Sequence, residues 1–212
     1  MEIYERYPMM RPFVGDRFHV RSKPSILLVG ESHYLPSSSV QYRSVESWYE
    51  GDASSLSPKE HGWINTSKVV KEAVDTGFRI RAHSIYRESF KVINRYGPQY
   101  TTIGAIAADL AYFNFFLRPA LQGKSLEVTN EDARIANEVF LFNVREMNPT
   151  GIVFLSTLAA QWLSAKLDIP GIPIVKVPHP ASHWWNRKAK KYGGRTGKEV
   201  LEAYVVGLEW PR

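Results

Sequence analysis

Ser25-Ile26-Leu27-Leu28-Val29-Gly30-Glu31-Ser32-His33-Tyr34 is the stretch that decides the fold. Its first half is a continuous apolar run ending in glycine, the pattern of a parallel strand buried on both faces. Its second half turns at once to an acid, a hydroxyl, an imidazole and a phenol. Three further apolar runs read the same way: Leu110 to Leu117, Gly151 to Leu155, and Ile172 to Val177. Pro173 sits near the start of the last run, where a missing N–H is tolerated.

Helical patterns separate these runs. Ser67 to Thr76 carries Val69, Val70, Ala73 and Val74, and Arg81 to Tyr96 carries Ile85, Phe90, Val92 and Ile93. Thr129 with Asp132 three residues on is a helix-start signal. That helix runs through Ala136, Val139, Phe140 and Val144 toward Pro149, and two more span Leu158 to Leu167 and Gly197 to Leu208. Strands alternating with helices predict an α/β fold, a three-layer α/β/α sandwich with a four-stranded parallel sheet. Residues 35–100 are less regular and read as helices and loops decorating that sheet. A single domain over 1–212 is expected at this length.

The 44% hydrophobic and 23% charged residues are ordinary globular values. No apolar run approaches the roughly 20 residues that span a bilayer. Met1 to Lys23 lacks the apolar core of a signal peptide, so a cytoplasmic monomer without membrane contact is expected. The absence of cysteine excludes disulfides, thiolate zinc sites and cysteine-held iron–sulfur clusters. Net charge is +6, which suits a polyanionic partner such as nucleic acid. The charge is concentrated: Arg187, Lys188, Lys190, Lys191, Arg195 and Lys198 fall between Asn186 and Lys198 with no acid among them.

In open parallel sheets, ligands bind beyond the carboxyl ends of the strands. Two segments therefore become candidates: Gly30 to Tyr34 after the first strand, and Pro178-His179-Pro180-Ala181-Ser182-His183-Trp184-Trp185 after the last.

Taken together, these loops resemble the two motifs of the uracil-DNA glycosylase superfamily. The first motif follows the first core strand and reads GQDPY, GINPG or GEAPG in different subgroups; here it reads GESHY. The second reads HPSP or HPAA; here His179 to Ser182 reads HPAS. Ala111-Tyr112-Phe113-Asn114 is similar to the family's strand ending in a base-reading Asn, and Phe115 to Pro119 to its continuation. Asn148 to Leu155 and Ala159-Ala160-Gln161-Trp162-Leu163 look like the stretch that follows. The resemblance covers residues 25–34 and 105–208, in the family's order.

The resemblance implies a uracil-DNA glycosylase-like fold and hydrolysis of an N-glycosidic bond after a damaged base leaves the stack of duplex or single-stranded DNA. No cofactor or metal is implied. Asn114 would read the base edge, and Tyr34 would shape the pocket. His179 would donate to the base oxygen that gains negative charge, often the largest catalytic effect. Glu31, matching the Glu of GEAPG, would position water and stabilise the cationic sugar. Ser182, Trp184 and Trp185 fall where the family inserts a DNA wedge, and Arg187, Lys188, Lys190 and Lys191 would meet phosphates. Trp48, Tyr49 and Trp63 are candidates for stacking on the base. The chain departs from the family at Ser32, which stands for the Asp of GQDPY and would line the base pocket, and at His33, which stands for the Pro.

Two other readings follow from the same residues. A non-catalytic relative would keep the pocket and bind a nucleobase or DNA without cleavage, which Ser32 favours. A serine hydrolase using Ser32 would need Gly30 to Tyr34 to form a nucleophile elbow, but Tyr34 occupies the place of the second glycine. His179 and His183 have helical metal-ligand spacing, yet Pro180 breaks the helix and no third ligand is evident.

Overall fold

The computed structural model describes every residue except 21, 40–43, 168, 170, 209, 211 and 212. In chain order the elements are α1 (Glu2–Arg6), β1 (Phe13–Val14), β2 (Ile26–Gly30), β3 (Tyr34–Leu35), α2 (Val45–Glu50), α3 (Pro58–Trp63), α4 (Thr66–Asp75), α5 (Ser84–Tyr96), β4 (Leu110–Asn114), β5 (Ala120–Leu121), α6 (Asn130–Met147), β6 (Gly151–Phe154), α7 (Thr157–Trp162), β7 (Ile174–Lys176) and α8 (Gly197–Val206). Short 3-10 turns link several of them. Among the described residues, no helix is long and apolar enough to cross a membrane.

The main sheet is mixed and five-stranded, in the order β1-β4-β2-β6-β7. This corrects the expectation of four parallel strands. The four expected strands are adjacent and mutually parallel. The fifth, β1, adds antiparallel to the edge of β4, pairing Phe13 with Tyr112. Two residues carry no readable periodicity, so β1 is a product of tertiary contact. Arg17 fixes it by clamping the buried carboxylate of Asp109 with Nε at 2.9 Å from Oδ1. A separate pair, β3 with β5, is parallel and extends the first motif toward the segment after β4.

Period-two alternation divides the strands between two cores. Leu27, Val29, Phe113, Ile152 and Phe154 face α1, α2, α6 and α7. Ile26, Leu28, Tyr112, Val153 and Leu155 face α4, α5 and α8. Helices thus cover both faces, and α4 and α5 form part of a layer, where decoration was expected. Phe140 of α6 packs against Phe154 and Phe115 at ring-centroid separations of 5.5 and 6.0 Å. Each such fully buried ring contributes roughly 1.5–3 kcal/mol of burial.

The Thr129–Asp132 start of α6 forms a reciprocal capping box, as its spacing predicts. Asp132 has a second task. It takes Arg118 on both oxygens, at 2.8 and 2.6 Å, and the Tyr49 hydroxyl at 2.8 Å. That buried cluster ties the segment after β4 to α6.

Three bounds differ from expectation. The aromatic run 110–117 is strand only to Asn114, although the Phe115 and Phe116 N–H groups still reach the carbonyls of Gly30 and Glu31 on the neighbouring chain segment. The run at 172–177 forms only Ile174–Lys176 as strand. The helix expected at 158–167 stops at Trp162, after which Leu163 is extended.

Candidate active site

Asn114, Glu31, Ser156 and His179 stand in that order along one carboxyl edge, at or just beyond the ends of β4, β2, β6 and β7. Glu31 and Ser156 are in direct contact. The Ser156 hydroxyl donates to Glu31 Oε2 at 2.7 Å. Ser156 is itself the N-cap of α7, accepting the Ala159 N–H at 3.3 Å. One buried hydroxyl therefore holds a helix start and a carboxylate.

Asn114 ends β4 directly opposite Gly30. Its Oδ1 accepts a hydrogen bond from the Tyr112 hydroxyl at 2.8 Å. The two side chains are two residues apart on one strand and so share a face. Gly30 makes room for them, since a Cβ there would lie 2.0 Å from the Tyr112 hydroxyl and 2.3 Å from Asn114 Oδ1. Burial holds the pKa of Tyr112 well above the usual tyrosine value, with Tyr86, Tyr34 and Glu31 adding to the rise, so this phenol stays protonated.

His179 follows β7 on a tight loop. Its carbonyl accepts the Ser182 N–H at 2.8 Å, and its ring Nδ1 accepts the Ala181 N–H at 3.0 Å. Burial lowers its pKa below the ordinary histidine value, so the ring is neutral at pH 7. With Nδ1 accepting, the proton of the neutral ring sits on Nε2. The loop is seated by Gly197 at the start of α8, where a Cβ would come within 2.3 Å of Pro178 Cγ.

His33, in the place of the family's proline, is buried and holds the first motif from behind. Its Nε2 lies 3.1 Å from Thr66 Oγ1, and the ring also reaches the Trp63 backbone. Tyr34 and Trp63 are exposed beside it, at 47% and 41%.

Several expected site residues lie elsewhere or point elsewhere. Trp48 is buried and stacks on Tyr7 at 4.2 Å, and Tyr49 is buried against Asp132. Neither offers a face to a base, which leaves Trp63 of the three stacking candidates. Trp185 is 1% exposed and packs with Leu201 and Val205 of α8, so it cannot be a wedge; Trp184 is 40% exposed. A 3-10 turn over His183–Trp185 sends the two indoles in different directions. Ser32 Oγ and Ser182 Oγ are both sealed and without a hydrogen-bond partner among the described residues. As placed, neither hydroxyl reaches a base or a phosphate. Arg187, Lys188, Lys190 and Lys191 are all exposed, on a loop closed by a bridge between Ala189 and Arg195.

Ser32 also lacks the surroundings of a nucleophile. β2 leads into β3 and not into a helix, and no imidazole contacts its hydroxyl among the described residues. Among the described residues no three His, Asp or Glu side chains gather as a metal site. A cavity of about 630 Å³ between α1, α2 and α6 is lined by Glu2, Arg6, Glu131, Arg134 and Glu138, which pair with one another. It holds none of the residues above. Two members of the site escaped sequence reading, Ser156 and Tyr112. The first was within reach of the loop rule, being a hydroxyl residue at a strand's carboxyl end just before a helix.

No protein-family model and no curated protein sequence matches the chain.

Proposed function

We propose that this chain is a DNA N-glycosylase of the uracil-DNA glycosylase fold class, acting on uracil or another deaminated base. The observation that carries the reading is the tautomer of His179. A neutral imidazole with its proton on Nε2 is the donor needed where negative charge collects on a departing base, and it adds no charge before the bond breaks. The family resemblance of GESHY and HPAS, and the common edge of Asn114, Glu31 and His179, support the same reading.

In the proposed reaction the base is drawn from the stack and Asn114 reads its edge. The C1′–N bond breaks, leaving its electron pair on the base and positive charge on the sugar. His179 Nε2–H donates to the base oxygen. Glu31, held by Ser156, lies against the cationic sugar and orients water. The water oxygen bonds to C1′, and the water's proton balances the anionic base. Trp63 and Tyr34 flank the pocket, Trp184 wedges the duplex, and the 187–198 segment meets phosphates.

A panel of uracil, hypoxanthine, xanthine and thymine-mismatch oligonucleotides, with alkali cleavage of abasic products, tests the proposal. His179→Ala is expected to lower the rate by about 10²-fold or more. Glu31→Gln is expected to lower kcat more than it weakens binding. Intact substrates at high protein concentration, with salt-sensitive DNA binding retained, would instead favour a non-catalytic DNA- or nucleobase-binding member of the same class. The sealed hydroxyl of Ser32, where an acid stands in GQDPY, is the feature on that side.

A further inference from the structure

We propose that the cleft between α1, α2 and α6 receives the 187–198 loop of a second copy of this chain, so that copies associate head to tail. The association stands apart from the glycosylase reading; only its competition with DNA rests on that reading.

The cleft holds about 630 Å³ and combines an apolar lining with an acidic rim. Ile3, Val45 and Ile135 supply the apolar part, and Val45 and Ile135 are only partly covered. Glu2, Glu46, Glu50, Glu131 and Glu138 stand around it, against Arg6 and Arg134 alone. Arg6 pairs with Glu2, and Arg134 pairs with Glu131 and Glu138, both at 2.7 Å. Glu46 and Glu50 are left exposed and, among the described residues, without an ion pair. The cleft is thus negative on a chain whose net charge is +6, and its rim favours a cationic occupant.

The chain carries such an occupant on its other side. Arg187, Lys188, Lys190, Lys191 and Arg195 are exposed and have no ion pair among the described residues. They ride a loop closed on itself: the Ala189 N–H donates to the Arg195 carbonyl at 3.1 Å, and Gly193 and Gly194 turn the tip with φ of 65° and 76°. A preformed loop gives up little freedom on docking. Three residues before Arg187 stands the exposed indole of Trp184, the type of anchor that interfaces bury against an apolar patch. The loop therefore matches the cleft in charge, and Trp184 matches its apolar lining. It cannot fill the cleft of its own chain. Trp185 seats it against α8, on the face of the sheet that α4 and α5 also cover, while the cleft lies on the opposite face. Loop and cleft are different patches, so the contact is heterologous and leaves one of each free on every pair. In the proposed glycosylase the same loop meets phosphates, so a docked loop is hidden from DNA.

Sedimentation velocity of the full chain without DNA tests this. In about 50 mM salt the average mass should rise above that of one chain as protein concentration rises, and about 300 mM salt should weaken the association roughly tenfold, because the paired charges are exposed. A monomer at every concentration in low salt overturns the proposal. Glu46→Lys with Glu50→Lys reverses the cleft, and Lys188→Glu with Lys190→Glu reverses the loop. Each altered protein alone should stay monomeric, since like charges then face one another. Mixed, the two should associate again, because the cationic loop of the first meets the acidic cleft of the second. Association undiminished by either reversal, or a mixture that stays monomeric, overturns the proposal. Glu46→Gln with Glu50→Gln, expected to weaken association roughly fivefold, carries the test if a reversed protein does not fold. Duplex DNA added to the unaltered protein should dissolve the assembly. An assembly that persists with DNA bound would keep the head-to-tail contact and remove the loop from the phosphate-binding surface, so the two readings fail separately.

Discussion

Acidification from pH 7 to pH 5 is expected to weaken the fold through His33. The ring is buried behind the first motif, with Thr66 Oγ1 at 3.1 Å and the Trp63 backbone as its partners. A neutral ring can keep its proton toward the Trp63 backbone, with Nε2 beside a Thr66 hydroxyl that also lies 3.4 Å from the Met10 carbonyl. Burial lowers its pKa to about 4, from the usual 6.5. The folded pKa is below the unfolded one, so as pH falls the unfolded chain takes up the proton first. Stability from this group is intact above about pH 6.5 and declines through the window from about 6.5 down to about 4. Linkage over that window gives a loss of about 2 kcal/mol between pH 7 and pH 5. Burial also lowers the pKa of His83 and His179, which adds loss in the same sense. Asp109 and Asp132, whose ion pairs hold their pKa down, lose their contribution only below about pH 4, outside this window. Urea unfolding followed across pH 7 to 5, for the unaltered protein and for His33→Gln, measures the effect. The glutamine variant should be less stable at pH 7 and should show a fall smaller by about 2 kcal/mol. Parallel pH profiles for the two proteins would refute the assignment of His33 as a buried neutral ring.

Ser156→Ala should cost about 1 kcal/mol through the missing cap of α7 and should lower kcat about tenfold by releasing Glu31, while Ser156→Thr retains both. Unfolding and single-turnover rates measured on the same preparations check this, and an unchanged kcat would remove Glu31 anchoring from the mechanism. Trp185→Ala should destabilise the fold by about 3–5 kcal/mol in thermal unfolding, as truncation of a buried indole does. Trp184→Ala should leave unfolding unchanged and weaken activity on duplex more than on single strands; equal losses on both substrates would deny it the wedge. Replacing Lys188, Lys190 and Lys191 together should flatten the log–log salt dependence of duplex binding by about 0.9 for each phosphate no longer neutralised. An unchanged slope would make the 187–198 run a solvated face only.

Much of the architecture was legible because its strands are buried on both sides. Ile26 to Val29, Leu110 to Phe113 and Ile152 to Phe154 have to be apolar throughout, and such runs stand out in any sequence. The Thr129 capping box is equally local, three residues closing on themselves. By the loop rule, those strands also marked Glu31, Asn114 and His179 as residues of one edge. What the sequence could not supply was whatever depends on neighbours distant in the chain. β1 is a strand only because β4 offers an unpaired edge beside Phe13. Trp184 and Trp185 are the same residue type in adjacent positions, and a single 3-10 turn makes one a surface group and the other core. Ser156 meets Glu31 across 125 residues of chain, and Tyr112 becomes the partner of Asn114 only because β2 brings a glycine, with no Cβ to intervene, beside them both. Burial patterns are written residue by residue and survive in the sequence; the direction in which a polar side chain points is decided by its neighbours in space, and only the tertiary structure supplies those.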